Sequence, residues 1–116
     1  MKTKTITTIT IVIIFIAVCI ITIGCTAAFT YNDHTYIGTV TDKERINTED
    51  GSYYLIFTED IYGCMHVLKN EDNILRMKVD SSNIYGSLKI GETYNFTVIG
   101  YRIPLFSMYE NILSIN

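Results

Sequence analysis

Tryptophan is absent from this chain, Pro104 is its one proline, and His34 and His66 are its two histidines. Cysteine is scarce and badly placed for bridging. Cys19 and Cys25 fall in an apolar N-terminal stretch, which leaves Cys64 alone in the remainder. A small fold stapled by disulfides is thereby excluded. Cys64 reads as a buried thiol, with pairing to Cys25 or to another chain as alternatives. Cys64 and His66 share a strand face, but no second Cys/His pair completes a zinc site. There is no phosphate loop, no Gly-x-Ser-x-Gly and no Cys/His/Asn set. Basic residues are few: the formal net charge is −3, and setting aside Lys2 and Lys4 at the N-terminus leaves −5. Such a surface repels phosphate, so no nucleic-acid partner is expected. Glu49-Asp50, Glu59-Asp60 and Glu71-Asp72 match no calcium loop and read as turn residues. The chain reads as a protein without cofactor and not as an enzyme.

Charge is missing altogether from Ile6 to Ile23, a run that continues uncharged through Phe29. As a helix, Ile6 to Ile23 spans about 27 Å, close to the roughly 30 Å hydrocarbon core of a bilayer. Lys2 and Lys4 precede the run, and the next basic residue is Lys43. The positive-inside rule then keeps the N-terminus cytoplasmic and sends the rest of the chain outward. Three fates fit residues 1–29: an uncleaved single-pass anchor, a signal peptide cut after Ala27 or Ala28, or a lipoprotein signal acylated at Cys25. Thr22-Ile23-Gly24-Cys25 looks like a lipoprotein box, departing from it at Thr22, where an aliphatic residue is usual. All three fates deliver residues 30–116 to the same side of a membrane.

Removing the first 28 of 116 residues leaves 88, enough for one small domain. Its pattern is that of strands. Tyr36 to Ile46 alternates, Asn47 to Gly51 reads as a turn, and Tyr53 to Thr58 is apolar on both faces and hence central. Cys64 to Leu68 is a third strand and Ile74 to Val79 a short fourth. Asp80-Ser81-Ser82 reads as a helix N-cap, and Gly91 as the stop after about two turns. Glu92 to Tyr101 places Tyr94, Phe96 and Val98 on one face, and Glu110 to Ile115 closes the series. Three or four strands, a short helix, then two strands is the order of a small OB-like Greek-key β-barrel, so the expected class is mainly β behind one transmembrane or signal helix.

Arg102-Ile103-Pro104-Leu105-Phe106-Ser107-Met108-Tyr109 is an apolar loop carrying one arginine. Folded inward it plugs one end of the barrel, the placement favoured in a domain short of apolar side chains. Exposed, Arg102, Ile103, Leu105, Phe106 and Tyr109 form a contact patch for a partner or a lipid surface.

Several segments together resemble a family of short domains of unknown function from bacteria and their phages, found behind a transmembrane helix or a lipoprotein signal. They are Val40-Thr41-Asp42-Lys43-Glu44-Arg45, Tyr54-Leu55-Ile56-Phe57, Asn70-Glu71-Asp72 with Leu75, Lys78, Asp80-Ser81-Ser82, Tyr85-Gly86, Leu88, Gly91, Tyr94, Gly100, Arg102-Ile103-Pro104, Ser107, Tyr109 and Asn111-Ile112. The resemblance implies a cell-envelope location and a small β-rich fold, and carries no activity. The expected role is an envelope interaction module with a protein partner, in a setting of phage origin. The alternative is an extracytoplasmic binder of a small ligand or oligosaccharide, with Tyr53, Tyr94 and Tyr101 stacking on it.

Overall fold

The computed structural model describes residues 2–116. It consists of an N-terminal helix, α1 (Lys2–Thr30), and a five-stranded mixed sheet. The strands are β1 (His34–Thr48), β2 (Gly51–Glu59), β3 (Met65–Asn70), β4 (Thr93–Ile99) and β5 (Asn111–Ile115), with a short helix, α2 (Ser81–Ser87), between β3 and β4. Hydrogen bonding runs β1-β2-β3-β5-β4, and β4 returns to β1, so the sheet closes on itself. Closure depends on the length of β1, whose first half pairs with β4 (His34↔Val98 to Thr39↔Thr93) and whose second half pairs with β2 (Val40↔Thr58 to Thr48↔Gly51). A register shift between Val40 and Asp42 marks the change of partner. As its two-faced apolar pattern predicts, β2 is interior to the sheet, between β1 and β3.

The core is Val40, Ile56, Leu68, Ile84, Leu88, Phe96, Val98 and Ile112, with Tyr36, Tyr54, Tyr85 and Tyr94 packed around it. Tyr36 lies so close over Gly38 that a Cβ there would meet its ring at 2.6 Å. Gly38 thus makes room for the ring, which also neighbours Phe96 and His66. One end of the barrel is closed by α2 through Ile84 and Leu88, both buried. Lys43 of β1 donates to the Tyr85 and Leu88 carbonyls (2.7 and 2.9 Å), satisfying acceptors that a helix end leaves open. Tyr54 stacks on Tyr85 at 4.2 Å.

Four expectations need correction. Ile74–Val79 is not a strand but a turn, with a 3-10 segment at Ile74–Arg76 and a single bridge between Asn73 and Lys78. Alternation in so short a run is also met by a loop with its apolar side chains outside. The helix stops at Ser87, not Gly91: Leu88 turns extended to enter the core. Gly91 instead takes a φ of 92° in the approach to β4, where its N–H donates to the Val40 carbonyl at 2.7 Å. The 102–109 loop does not plug the barrel: Leu105 and Phe106 are exposed. Cys64 is exposed too, in the turn before β3.

Candidate functional site

The α1 side of the barrel gathers the chemistry. α1 runs unbroken past Cys25, Ala27 and Ala28 to Thr30, and its large apolar side chains from Ile6 to Ile23 are exposed, none covered by the barrel. Five of its threonines pair their hydroxyls within the helix: Thr7, Thr8, Thr10, Thr22 and Thr26 each donate to the carbonyl four residues back, at 2.8–2.9 Å. That back-bonding is what lets threonine sit in an apolar surround. Cys25 is exposed on this helix.

Where α1 ends, three contacts tie it to the barrel. Arg76 donates from Nη1 to the Thr30 carbonyl (3.0 Å) and forks onto the Asp33 carboxylate, Nη2 to Oδ2 at 2.7 Å. Its guanidinium lies 5.3 Å from the Tyr31 ring. This fork holds the Asp33 carboxyl below the usual range and raises the Arg76 pKa. Phe29 packs edge-on against Tyr101 at 5.1 Å, beside Gly100, whose carbonyl accepts from Asn32 Nδ2 at 3.1 Å.

Two turns flank this junction and share one geometry. Residues 73–78 and 103–108 are each closed by a single antiparallel bridge, Asn73↔Lys78 and Ile103↔Met108. Each then makes a 3-10 turn, Ile74–Arg76 or Pro104–Phe106, followed by a left-handed residue, Met77 (φ 56°) or Ser107 (φ 51°). Arg102 donates to the Met108 carbonyl (2.8 Å) and stacks over Tyr109 at 4.2 Å. Ile103 and Tyr109 are half-buried; Leu105 and Phe106 point outward. The 73–78 turn escaped the sequence reading because neither Met77 nor Ser107 is a glycine or asparagine, the residues that announce a left-handed turn. The shared Leu75 and Leu105, one residue after each 3-10 start, is the signal that was there to find.

Behind these turns Lys78 is 3% exposed. Its Nζ donates to Asn70 Oδ1 (2.8 Å) and to the Ile112 carbonyl, and lies 3.4 Å from Asn111 Oδ1. Burial pushes its ammonium down to about 8, against the pull of Asp80, Asp72 and Glu71. Asp72 accepts from the Ser81 N–H at 3.0 Å and so caps α2, a role the sequence suggested for the Asp80-Ser81-Ser82 cluster.

A second exposed feature lies at the β2–β3 turn. Ile61 and Tyr62 stand out at 81% and 85% exposure, bordering an open cleft with Thr35, Tyr36, Ile37, Asp60 and His66. Asp60 builds the turn: its Oδ1 accepts from the Tyr62 and Cys64 N–H groups, and its Oδ2 meets His66 Nε2 at 3.2 Å. The Cys64 N–H chiefly, with those of Tyr62 and His66, keeps the Asp60 carboxyl below its ordinary value.

The three tyrosines suggested for sugar stacking do not share a platform. Tyr53 pairs with Ile46 near the far end of β1, beneath the Lys69 ammonium. Tyr94 pairs with Gly38, and its hydroxyl accepts from the Lys89 N–H at 2.9 Å. Tyr101 sits past the opposite end of β4, against Phe29. Among the described residues no group of three or more His, Cys, Asp or Glu side chains is placed to hold a metal ion. No protein-family model, no curated protein and no solved structure matches this chain.

Proposed function

We propose that this chain is a single-pass envelope protein: α1 spans a membrane with its N-terminus cytoplasmic, and the barrel, of OB-like Greek-key type, is an extracytoplasmic interaction module. The observation that carries the reading is α1 itself, a 29-residue helix whose apolar surface nothing in the barrel covers. In water that surface is a large liability; in lipid it is the requirement. Retention of α1 is favoured over cleavage because the uncharged run from Ile6 to Ile23 is longer than the apolar core of a secretory signal. Lipidation at Cys25 would leave the junction with the barrel intact.

The face best suited to a protein partner is the β2–β3 turn, where Ile61 and Tyr62 overhang the cleft beside Ile37 and Met65, all exposed. A binding role fits this surface better than catalysis. Membership of the short phage and bacterial envelope family named above belongs to the same proposal. The test is cross-linking in native membranes through a photoreactive residue at Tyr62. A discrete partner adduct, lost in Ile61→Asp, supports the module; no adduct at native expression removes it.

A further inference from the structure

We propose that the 73–78 and 103–108 turns are a pair of membrane-inserting prongs, seating the barrel on the outer interfacial layer of the bilayer that α1 spans. The inference rests on the anchor reading and adds a second lipid contact to it. Each prong carries its apolar residues at the tip. Ile74, Leu75 and Met77 on one, and Leu105 and Phe106 on the other, are exposed by 61–87%. A solvated turn of this size has no use for such a cluster.

Position decides the occupant. Leu75 shares an apolar groove with Thr22, Ile23, Thr26 and Ala27 of α1. It therefore stands level with helix turns inside the uncharged run that precedes Asp33. If those turns are in lipid, Leu75 is in or against lipid as well. The second prong lies on the Phe29 side of the helix, where Phe29, Ser107, Met108 and Tyr109 line a common hollow. Tyr31 and Tyr101 at the helix exit are the amphipathic rings that collect at headgroup level. Arg76 supplies a cation whose charge is already matched by Asp33, so burying the tip beside it strands no charge. The outer part of the chain is net acidic, so the attraction is apolar and does not call for anionic lipid.

Absence of tryptophan makes the test direct. The full chain is reconstituted in phosphatidylcholine vesicles as single-tryptophan variants: Leu75→Trp and Leu105→Trp at the tips, Phe15→Trp in α1, and Asp50→Trp in the acidic turn at the opposite end of β1. Quenching is read with lipids brominated near the glycerol end or near the middle of the acyl chain. The expected result is strong mid-chain quenching for Phe15→Trp, shallow quenching with blue-shifted emission for both tip variants, and neither for Asp50→Trp. Tip variants that emit like Asp50→Trp while Phe15→Trp is quenched overturn the prongs and leave the anchor standing. An unquenched Phe15→Trp overturns the anchor, and the prongs with it. Because both tips are exposed, neither substitution disturbs the core, and each checks the other.

Discussion

Lys78 gives the barrel a stability that rises with pH through the mildly alkaline range. The unfolded chain keeps this amine protonated to about its ordinary value of 10.5, whereas burial brings the folded value to about 8. Between the two, the unfolded state holds the extra proton, so raising the pH favours folding. The limiting slope is about 1.4 kcal/mol per pH unit. The full window amounts to about 3 kcal/mol, of which roughly 2 kcal/mol falls between about pH 7.5 and about pH 9.5. Below that window the folded state carries the desolvation of a buried ammonium. It tolerates this because Asn70 and Ile112 accept its protons and three carboxylates stand nearby.

The perturbation is Lys78→Met, which keeps the volume and removes the titration. It also leaves the Asn70 and Ile112 oxygens without their donor, a loss of about 1–3 kcal/mol. The assay is urea unfolding of the detergent-solubilised full chain, followed by tyrosine near-ultraviolet circular dichroism, since all nine tyrosines lie outside α1. Wild type and variant share every other titrating group, so their difference isolates Lys78. Near pH 7.5 that loss is offset by the ammonium desolvation the variant escapes, so the two lie close together. By about pH 9.5 wild type is ahead by roughly 2 kcal/mol more. A gap that stays constant, or narrows, as the pH rises refutes the burial argument.

Gly91→Val should destabilise by about 1–2 kcal/mol, because a β-branched residue resists the φ of 92° there, and an unchanged melting temperature would count against it. Gly38→Ala sets a Cβ 2.6 Å from the Tyr36 ring and should cost about 1–3 kcal/mol; recovery in the double variant with Tyr36→Leu would show that the ring is the obstacle. Met77→Gly relieves a left-handed methionine that is 87% exposed, so stability should rise by up to about 1 kcal/mol; a fall in the urea midpoint would show that Met77 packs after all. Arg76→Gln should lower stability by about 1 kcal/mol, the upper end for a pair that is only partly solvated. It should also broaden the distance distribution between spin labels on Cys25 and Cys64, in a Cys19→Ala background.

What the sequence made legible follows from periodicity, and what it hid follows from its limits. Tyr94, Phe96 and Val98 alternate against exposed or half-buried partners, so β4 was readable, and β2 announced its interior place by being apolar on both faces. The uncharged run gave α1 for the same reason. Ile74–Val79 misled because alternation says which side chains share a face and not whether the backbone finds a ladder partner. Gly91 misled in a subtler way. The positive φ was there, but the hydrogen bond it serves runs to Val40 on another strand, a tertiary fact that no local motif contains. The 103–108 turn was located correctly and given the wrong side, since whether an apolar loop folds inward is decided by tertiary packing that its own residues do not encode.

A shortage of apolar side chains argues in the end for the membrane and not for the plug. The hydrophobic residues buried in the barrel are nine: Val40, Ile56, Leu68, Ile84, Leu88, Phe96, Val98, Ile99 and Ile112. A domain of this size stands near the limit where one core suffices. Yet Ile74, Leu75, Met77, Leu105 and Phe106 are left outside together on two turns beside the end of α1, apart from the exposed Ile61 and Tyr62 of the β2–β3 turn. Scattered singly, exposed leucines and isoleucines need no account; gathered at one end of so small a barrel, they do. The left-handed Met77 and Ser107 sharpen the point, because each turn holds an unfavourable backbone conformation to keep its tip out. Arg76 adds the last element. Its contacts contribute little to folding, but they fix the direction in which the first tip faces by binding both the last helical turn and Asp33. If α1 spans a bilayer, the apolar tips clamped beside its exit find there the burial that the barrel leaves them without.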